Sequence, residues 1–144
     1  MVSFTVTTFI NRPTQEVFDF VTNPANAAQW KIDMVSSKYT SEGPVGVGST
    51  FQNVGQMLGR KIVADGEITQ WNPPNVWGYK ATNGPAKLEE TNKFESKDGG
   101  TLLIQSFQVE VGGFFKMAEG LAVKQMQKQL ETHANTLKML LEAK

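Results

Sequence analysis

Proton transfer, metal ligation and nucleophilic attack each require particular side chains, and this sequence supplies few of them. It has no cysteine, which excludes thiolate nucleophiles, disulfides and cysteine-ligated zinc. Its single histidine, His133, would have to anchor any catalytic triad or imidazole metal centre. That residue stands on or beside the apolar seam of a helical pattern, between Leu130 and Leu137, and reads as a histidine at the edge of the core with no assigned role. No loop of EF-hand type is present, so neither a metal nor a cofactor is expected. The glycines of "EGPVGVGST" (42–50) precede a strand and carry no lysine, whereas a phosphate cradle needs a helix N-terminus after it. They read as a structural loop.

The most informative polar residues lie in "KLEETNKF" (87–94). Its alternation is that of a strand, with Lys87, Glu89, Thr91 and Lys93 forming a wet face. The opposite face carries Leu88, Glu90, Asn92 and Phe94, because side chains two apart share a face. A carboxylate and an amide between two apolar anchors are either part of a ligand cavity or a wet sheet end that binds only water. Gln105 joins them if the next strand faces inward through Thr101, Leu103, Gln105, Phe107 and Val109. A buried carboxylate needs partners or a proton, and a few convergent polar groups on an apolar wall describe a small-ligand site.

Periodicity supplies the elements that position these groups. "SFTVTTFI" alternates Phe4, Val6, Thr8 and Ile10 against serine and threonines, as a strand does. "NRPTQEVFDFV" opens a short helix, with Pro13 in the first turn, Thr14 as candidate cap and Glu16 at the positive end. Pro24 stops it, and "ANAAQW" makes a second short helix ending near Trp30. From about Met34 the chain is a six-strand meander, punctuated by Gly59, "NPPN", Asn83-Gly84 and Asp98-Gly99-Gly100, the residue types that tight turns favour. Short connections imply antiparallel pairing. The period then changes. From about Phe114 to Glu142, Val123, Met126, Leu130, His133 or Ala134, Leu137, and Leu140 or Leu141 recur at helical spacing, giving one long amphipathic helix of roughly 40 Å.

Bulk composition narrows the function. The 144 residues suit one domain, 1–144, with 40% hydrophobic and 19% charged residues, a globular balance. Fourteen basic residues cancel fourteen acidic ones, which argues against nucleic acid as a partner and against a strongly anionic membrane. Neutrality also removes a brake on self-association, leaving a homodimer open. No secretory signal and no membrane span are visible, so a cytoplasmic location is expected.

This order of elements, together with "INRPTQEVFDFVTNP", "AAQW", "EGPVGVGSTF" and "HANTLKMLLEA", resembles the START-like, birch-pollen-allergen-type superfamily, closest in pattern to its polyketide cyclase/dehydrase family. The resemblance implies an α+β helix-grip fold: a curved antiparallel sheet of about seven strands around a long C-terminal helix, with a cavity between them. Such proteins mostly bind apolar molecules, and a minority are enzymes. No shared catalytic signature unites the group, so no catalytic residue is carried over.

A sheet curved around one helix has more concave surface than that helix covers. The residues expected to line the gap are Trp30, Phe51, Trp77, Tyr79, Phe94 and Phe107 as aromatic wall, with Glu90, Asn92 and Gln105 as polar groups. Ala118 and Ala122 mark where the helix stands back, and Phe114, Phe115 and Met117 form a gate. The leading reading is a binding protein for one small apolar or amphipathic molecule. A cyclase or dehydratase using Glu90 as acid or base is the alternative. A third reading is an interaction module, which requires Val54, Leu58 and Val63 to form an exposed apolar patch.

Overall fold

The computed structural model describes residues 2–57, 59–84, 86–110 and 119–144. Strand β1 (Val2–Ile10) leads into helix α1 (Thr14–Thr22), a single 3-10 turn (Pro24–Asn26) and the one-turn helix α2 (Ala27–Trp30). Six strands follow: β2 (Met34–Tyr39), β3 (Thr50–Met57), β4 (Arg60–Asn72), β5 (Val76–Asn83), β6 (Lys87–Lys97) and β7 (Gly100–Glu110). Helix α3 (Glu119–Glu142) ends the chain. The sheet order is β1-β7-β6-β5-β4-β3-β2, antiparallel throughout. Each strand pairs with its sequence neighbour except β1, which closes on β7. This is the helix-grip architecture.

Local chemistry explains the joints. Between β6 and β7, Asp98 (φ 50°) and Gly99 (φ 77°) both take left-handed backbone, the geometry of a two-residue hairpin turn. Thr14 does not cap α1. The N-cap position belongs to Pro13, without a side-chain bond, because Val17 N–H already donates to Pro13 C=O at 3.1 Å and closes the first turn one residue earlier. The fixed dihedral of Pro13 suits that entry. At the far end, Lys138 and the backbone N–H of Asn11 both donate to the Glu142 carboxylate, at 2.7 and 3.0 Å. Those bonds fasten the end of α3 to the β1–α1 corner and hold the Glu142 carboxyl below its usual range.

Among its described side chains, α3 buries Val123, His133, Ala134, Leu137 and Leu141, one stripe at helical spacing. Towards its C-terminus this stripe meets Ile10, Val17, Phe18, Phe94 and Leu103 in a continuous apolar core. Phe18 packs edge-on to both Phe94 and Trp71, with ring centroids 5.1 and 5.2 Å apart. A second, smaller cluster of Val6, Phe107, Val109 and Ala134 lies nearer the N-terminal part of the helix. The polar residues lie between these two clusters. Val54, which the interaction-module reading requires on an exposed apolar patch, is instead buried, while its cross-strand partner Val63 is open. Leu58 lies outside the described residues. The sheet face therefore presents no such patch at Val54. Among the described residues, no helix is long and apolar enough to cross a membrane.

Candidate functional site

Three neighbouring strands carry the polar residues in register. Tyr79 on β5, Glu90 on β6 and Phe107 on β7 are direct cross-strand partners; so are Trp77, Asn92 and Gln105 in the next row. Directly opposite residues in a sheet have Cβ atoms about 5 Å apart, close enough for hydrogen bonds between long side chains. The Tyr79 hydroxyl donates to Glu90 Oε1 at 2.8 Å. Asn92 Nδ2 donates to Glu90 Oε2 at 2.8 Å and to the Trp77 carbonyl at 3.3 Å. Gln105 Nε2 in turn donates to Asn92 Oδ1 at 3.1 Å. All four side chains are buried, Asn92 completely. Burial, followed by the neighbouring Glu90 charge and its hydrogen bond, pushes the Tyr79 phenol well above its ordinary value of 10.0, so it stays protonated and donating.

Above this network lies a cavity of about 240 Å³ between the sheet and α3. Its buried end is formed by Trp30, Tyr79, Glu90, Gln105, Phe107 and His133. Its half-exposed rim comes from α3 (Met126, Gln129 and Leu130) and from the α2–β2 connection and adjoining strands (Lys31, Asp33, Met34, Asn53 and Leu88). An apolar groove of about 150 Å³ continues from the rim past Gly55, Ile62 and Ala64, sharing Asp33, Met34 and Asn53.

Of the residues expected to line the gap, Trp30, Tyr79, Glu90, Gln105 and Phe107 border this cavity. Phe51 and Trp77 stand behind Tyr79, their rings 5.1 and 5.2 Å from it, and border a separate recess of about 30 Å³. Phe51 lies across β3 and β4 from Gly66, where an added Cβ would sit 2.3 Å from its ring. Only glycine leaves room for the ring there. Asn92 supports Glu90 from below, and Phe94 belongs to the dry core. Phe115 and Ala118, with the gate residues Phe114 and Met117, lie outside the described residues, as does the side chain of Ala122.

His133, given no role from sequence, is only 4% exposed and lines the cavity. Its Nε2 lies 3.3 Å from Asp33 Oδ1, though neither ring nitrogen has an aligned hydrogen-bond partner among the described residues. Burial depresses the imidazole below its ordinary 6.5; the Asp33 charge opposes this and the Lys31 charge reinforces it. The spacing Met126, Leu130, His133 points to this face of α3. Lys31 and Asp33 sit on an irregular connection that no period marks. Among the described residues, no group of histidines and carboxylates could hold a metal.

Solved structures share this fold at low sequence identity, and such likeness speaks to the fold alone. The Thermus thermophilus protein TTHA0849 superposes with a TM-score of 0.84 at 18% identity, over 99% of this chain and 98% of that one. The di-domain aromatase/cyclase BexL of the BE-7585A biosynthetic pathway gives 0.81 at 20% identity, over 99% of this chain and 50% of its own. The ZhuI aromatase/cyclase from Streptomyces sp. R1128 gives 0.80 at 13% identity, over 98% of this chain and 93% of its own. Among curated proteins, none matches the chain by sequence. The family described as "polyketide cyclase / dehydrase and lipid transport" matches residues 1–142. With the strand order, the grip of the sheet on α3 and this match in agreement, the chain belongs to the polyketide cyclase/dehydrase and lipid transport family.

Proposed function

We propose that the protein binds one small amphipathic molecule in the cavity between the sheet and α3, with Trp30, Tyr79, Glu90, Gln105 and Phe107 as its principal contacts. The observation that carries this reading is a cavity whose apolar walls end on a connected polar network with acceptor capacity to spare, the usual design of a small-ligand site. The family description names both polyketide chemistry and lipid transport, which fits an apolar occupant. Size limits the choice. About 240 Å³ equals the liquid volume of about eight water molecules, taking roughly 30 Å³ for each. A one- or two-ring molecule fits, and a longer one extends its apolar tail along the groove by Ile62 and Ala64.

Burying the aromatic ring of such a ligand contributes about 25 cal/mol per Å², offset by the loss of translational freedom. Dissociation constants in the micromolar range are therefore expected. Titration with 1-naphthol tests the reading through the emission of Trp30 in the cavity wall. Saturable quenching with one-to-one stoichiometry, reversed by a non-aromatic competitor such as cyclohexanol, is the expected result. Quenching that never saturates and cannot be competed away counts against it.

A catalytic reading is favoured by one observation: Glu90 and His133 border the same cavity from the sheet and from the helix. Two proton-carrying groups about one ligand are what cyclisation or dehydration uses. Turnover that is lost in Glu90→Gln while binding persists would separate an enzyme from a carrier.

A further inference from the structure

The polar network has a direction, and it follows from one backbone group. Asn92 presents one end of its amide to the Trp77 carbonyl and Glu90 Oε2, at 3.3 and 2.8 Å. Both are acceptors, so that end must be the NH₂. The Asn92 oxygen then points to Gln105, which must offer its own NH₂, at 3.1 Å. Tyr79 completes the pattern by donating to Glu90 Oε1, and its raised pKa keeps that proton in place. Donation thus runs from Gln105 through Asn92 and from Tyr79, and it converges on Glu90.

What this network leaves for a ligand on the sheet side is lone pairs. Each Glu90 oxygen accepts one protein donor and retains further acceptor capacity; Gln105 keeps its carbonyl oxygen, and Tyr79 keeps its phenolic lone pairs. Among the described residues, no lysine, arginine or histidine lies within salt-bridge distance of Glu90. Donors border the cavity elsewhere. On the helical side are the Trp30 indole N–H and a ring N–H of His133, both buried without a partner among the described residues. At the rim are Lys31 and the Asn53 amide, whose oxygen is already taken by Ser37 at 2.6 Å.

We infer that the molecule held here has a hydrogen-bond-donating head, an alcohol, a phenol or a protonated amine, which enters first and bonds to Glu90. Molecules with a carboxylate head, free fatty acids among them, are rejected from Glu90 because they bring acceptors and a like charge to a buried carboxylate. This selectivity rests on the binding reading above and names the head group that the reading leaves open.

Three probes that share one ring system separate the possibilities: 2-naphthol, 2-naphthylmethylamine and 2-naphthoate, each titrated calorimetrically at pH 7. The alcohol and the ammonium should bind at least tenfold more tightly than the carboxylate. In Glu90→Gln, the first two should weaken several-fold and the gap to the carboxylate should close. The alcohol and ammonium arms distinguish a pure hydrogen-bond preference from one that also draws on charge. Equal or tighter binding of 2-naphthoate overturns the inference while leaving cavity binding intact. A gap that persists in Glu90→Gln overturns it as well, because the selectivity then has another source. Binding of none of the three removes the cavity reading itself, and this inference with it.

Discussion

On strand β6, Glu90 and Phe94 lie four residues apart on the same face, yet they belong to different halves of the molecule. Phe94 meets Phe18 and Leu103 in a core without exposed surface, where Leu137 and Leu141 descend from α3. Glu90 meets Tyr79 and Asn92 under a cavity that Leu130 and His133 overlook. Both halves use the same strands and the same helix. What changes is the side chain at each inward position, from ring and methyl at Phe94 and Leu103 to amide and carboxylate at Asn92, Gln105 and Glu90, before the second apolar cluster at Leu88 and Val109. Dense apolar packing at one end supplies the stability that lets the other end stay hollow and polar.

That contrast breaks most sharply with one helix substitution at each end. Leu137 is fully buried in the dry half, so Leu137→Ala should cost about 2–5 kcal/mol in denaturant unfolding. Leu130 borders the cavity and is half-exposed, so Leu130→Ala deletes contacts that are already incomplete and should cost roughly 1 kcal/mol. Equal losses would mean that the cavity end is packed as tightly as the core.

The network allows a finer comparison within the polar half. Asn92→Ala would strip partners from Glu90 Oε2, the Trp77 carbonyl and Gln105 Nε2 at once. Each buried group left unsatisfied costs about 1–3 kcal/mol, so a loss of about 3 kcal/mol is expected after local rearrangement. Glu90→Gln removes a buried charge and keeps an acceptor for Tyr79, and should shift stability by about 1 kcal/mol or less. If the two variants unfold at the same denaturant concentration, Asn92 is not the centre of the network.

Much of this arrangement is legible in the sequence, for a physical reason. β6 and β7 pair without a register shift from Lys87–Glu110 to Lys97–Gly100, so strict alternation places Glu90, Asn92 and Gln105 inward. On β4 the same counting fails. The register shifts between Ile68 and Gln70, and Ile68 and Trp71, three apart, both pack on the core. A bulge has no signature in apolar spacing. The helix seam at Val123, Leu137 and Leu141 is equally plain. The role of His133 is not, because periodicity puts a residue on a face without saying whether that face meets methyls or a hollow. Asp33 is illegible for another reason, lying between α2 and β2 where no repeat operates.

His133 also gives the smallest expected effect and the one most specific to the hollow end. Its folded-state pKa lies below the ordinary 6.5, lowered chiefly by burial, raised in part by Asp33 and lowered again by Lys31. As pH falls below about 6.5, the unfolded chain takes up a proton that the folded chain still refuses, so the unfolded state binds more protons and stability declines. The contribution is complete above the unfolded value and is lost as pH drops through the folded one. Tyr79 acts in the opposite sense at the alkaline end. Its raised pKa means that stability is full below pH 10 and falls as the unfolded phenol ionises first. Thermal unfolding of wild type and His133→Gln at pH 7.5 and 5.5 isolates the acid side. The wild-type midpoint should drop further between the two than that of the variant, which has no imidazole to charge. Parallel drops would assign the acid sensitivity to carboxylates elsewhere and leave the imidazole electrostatically idle in the cavity wall.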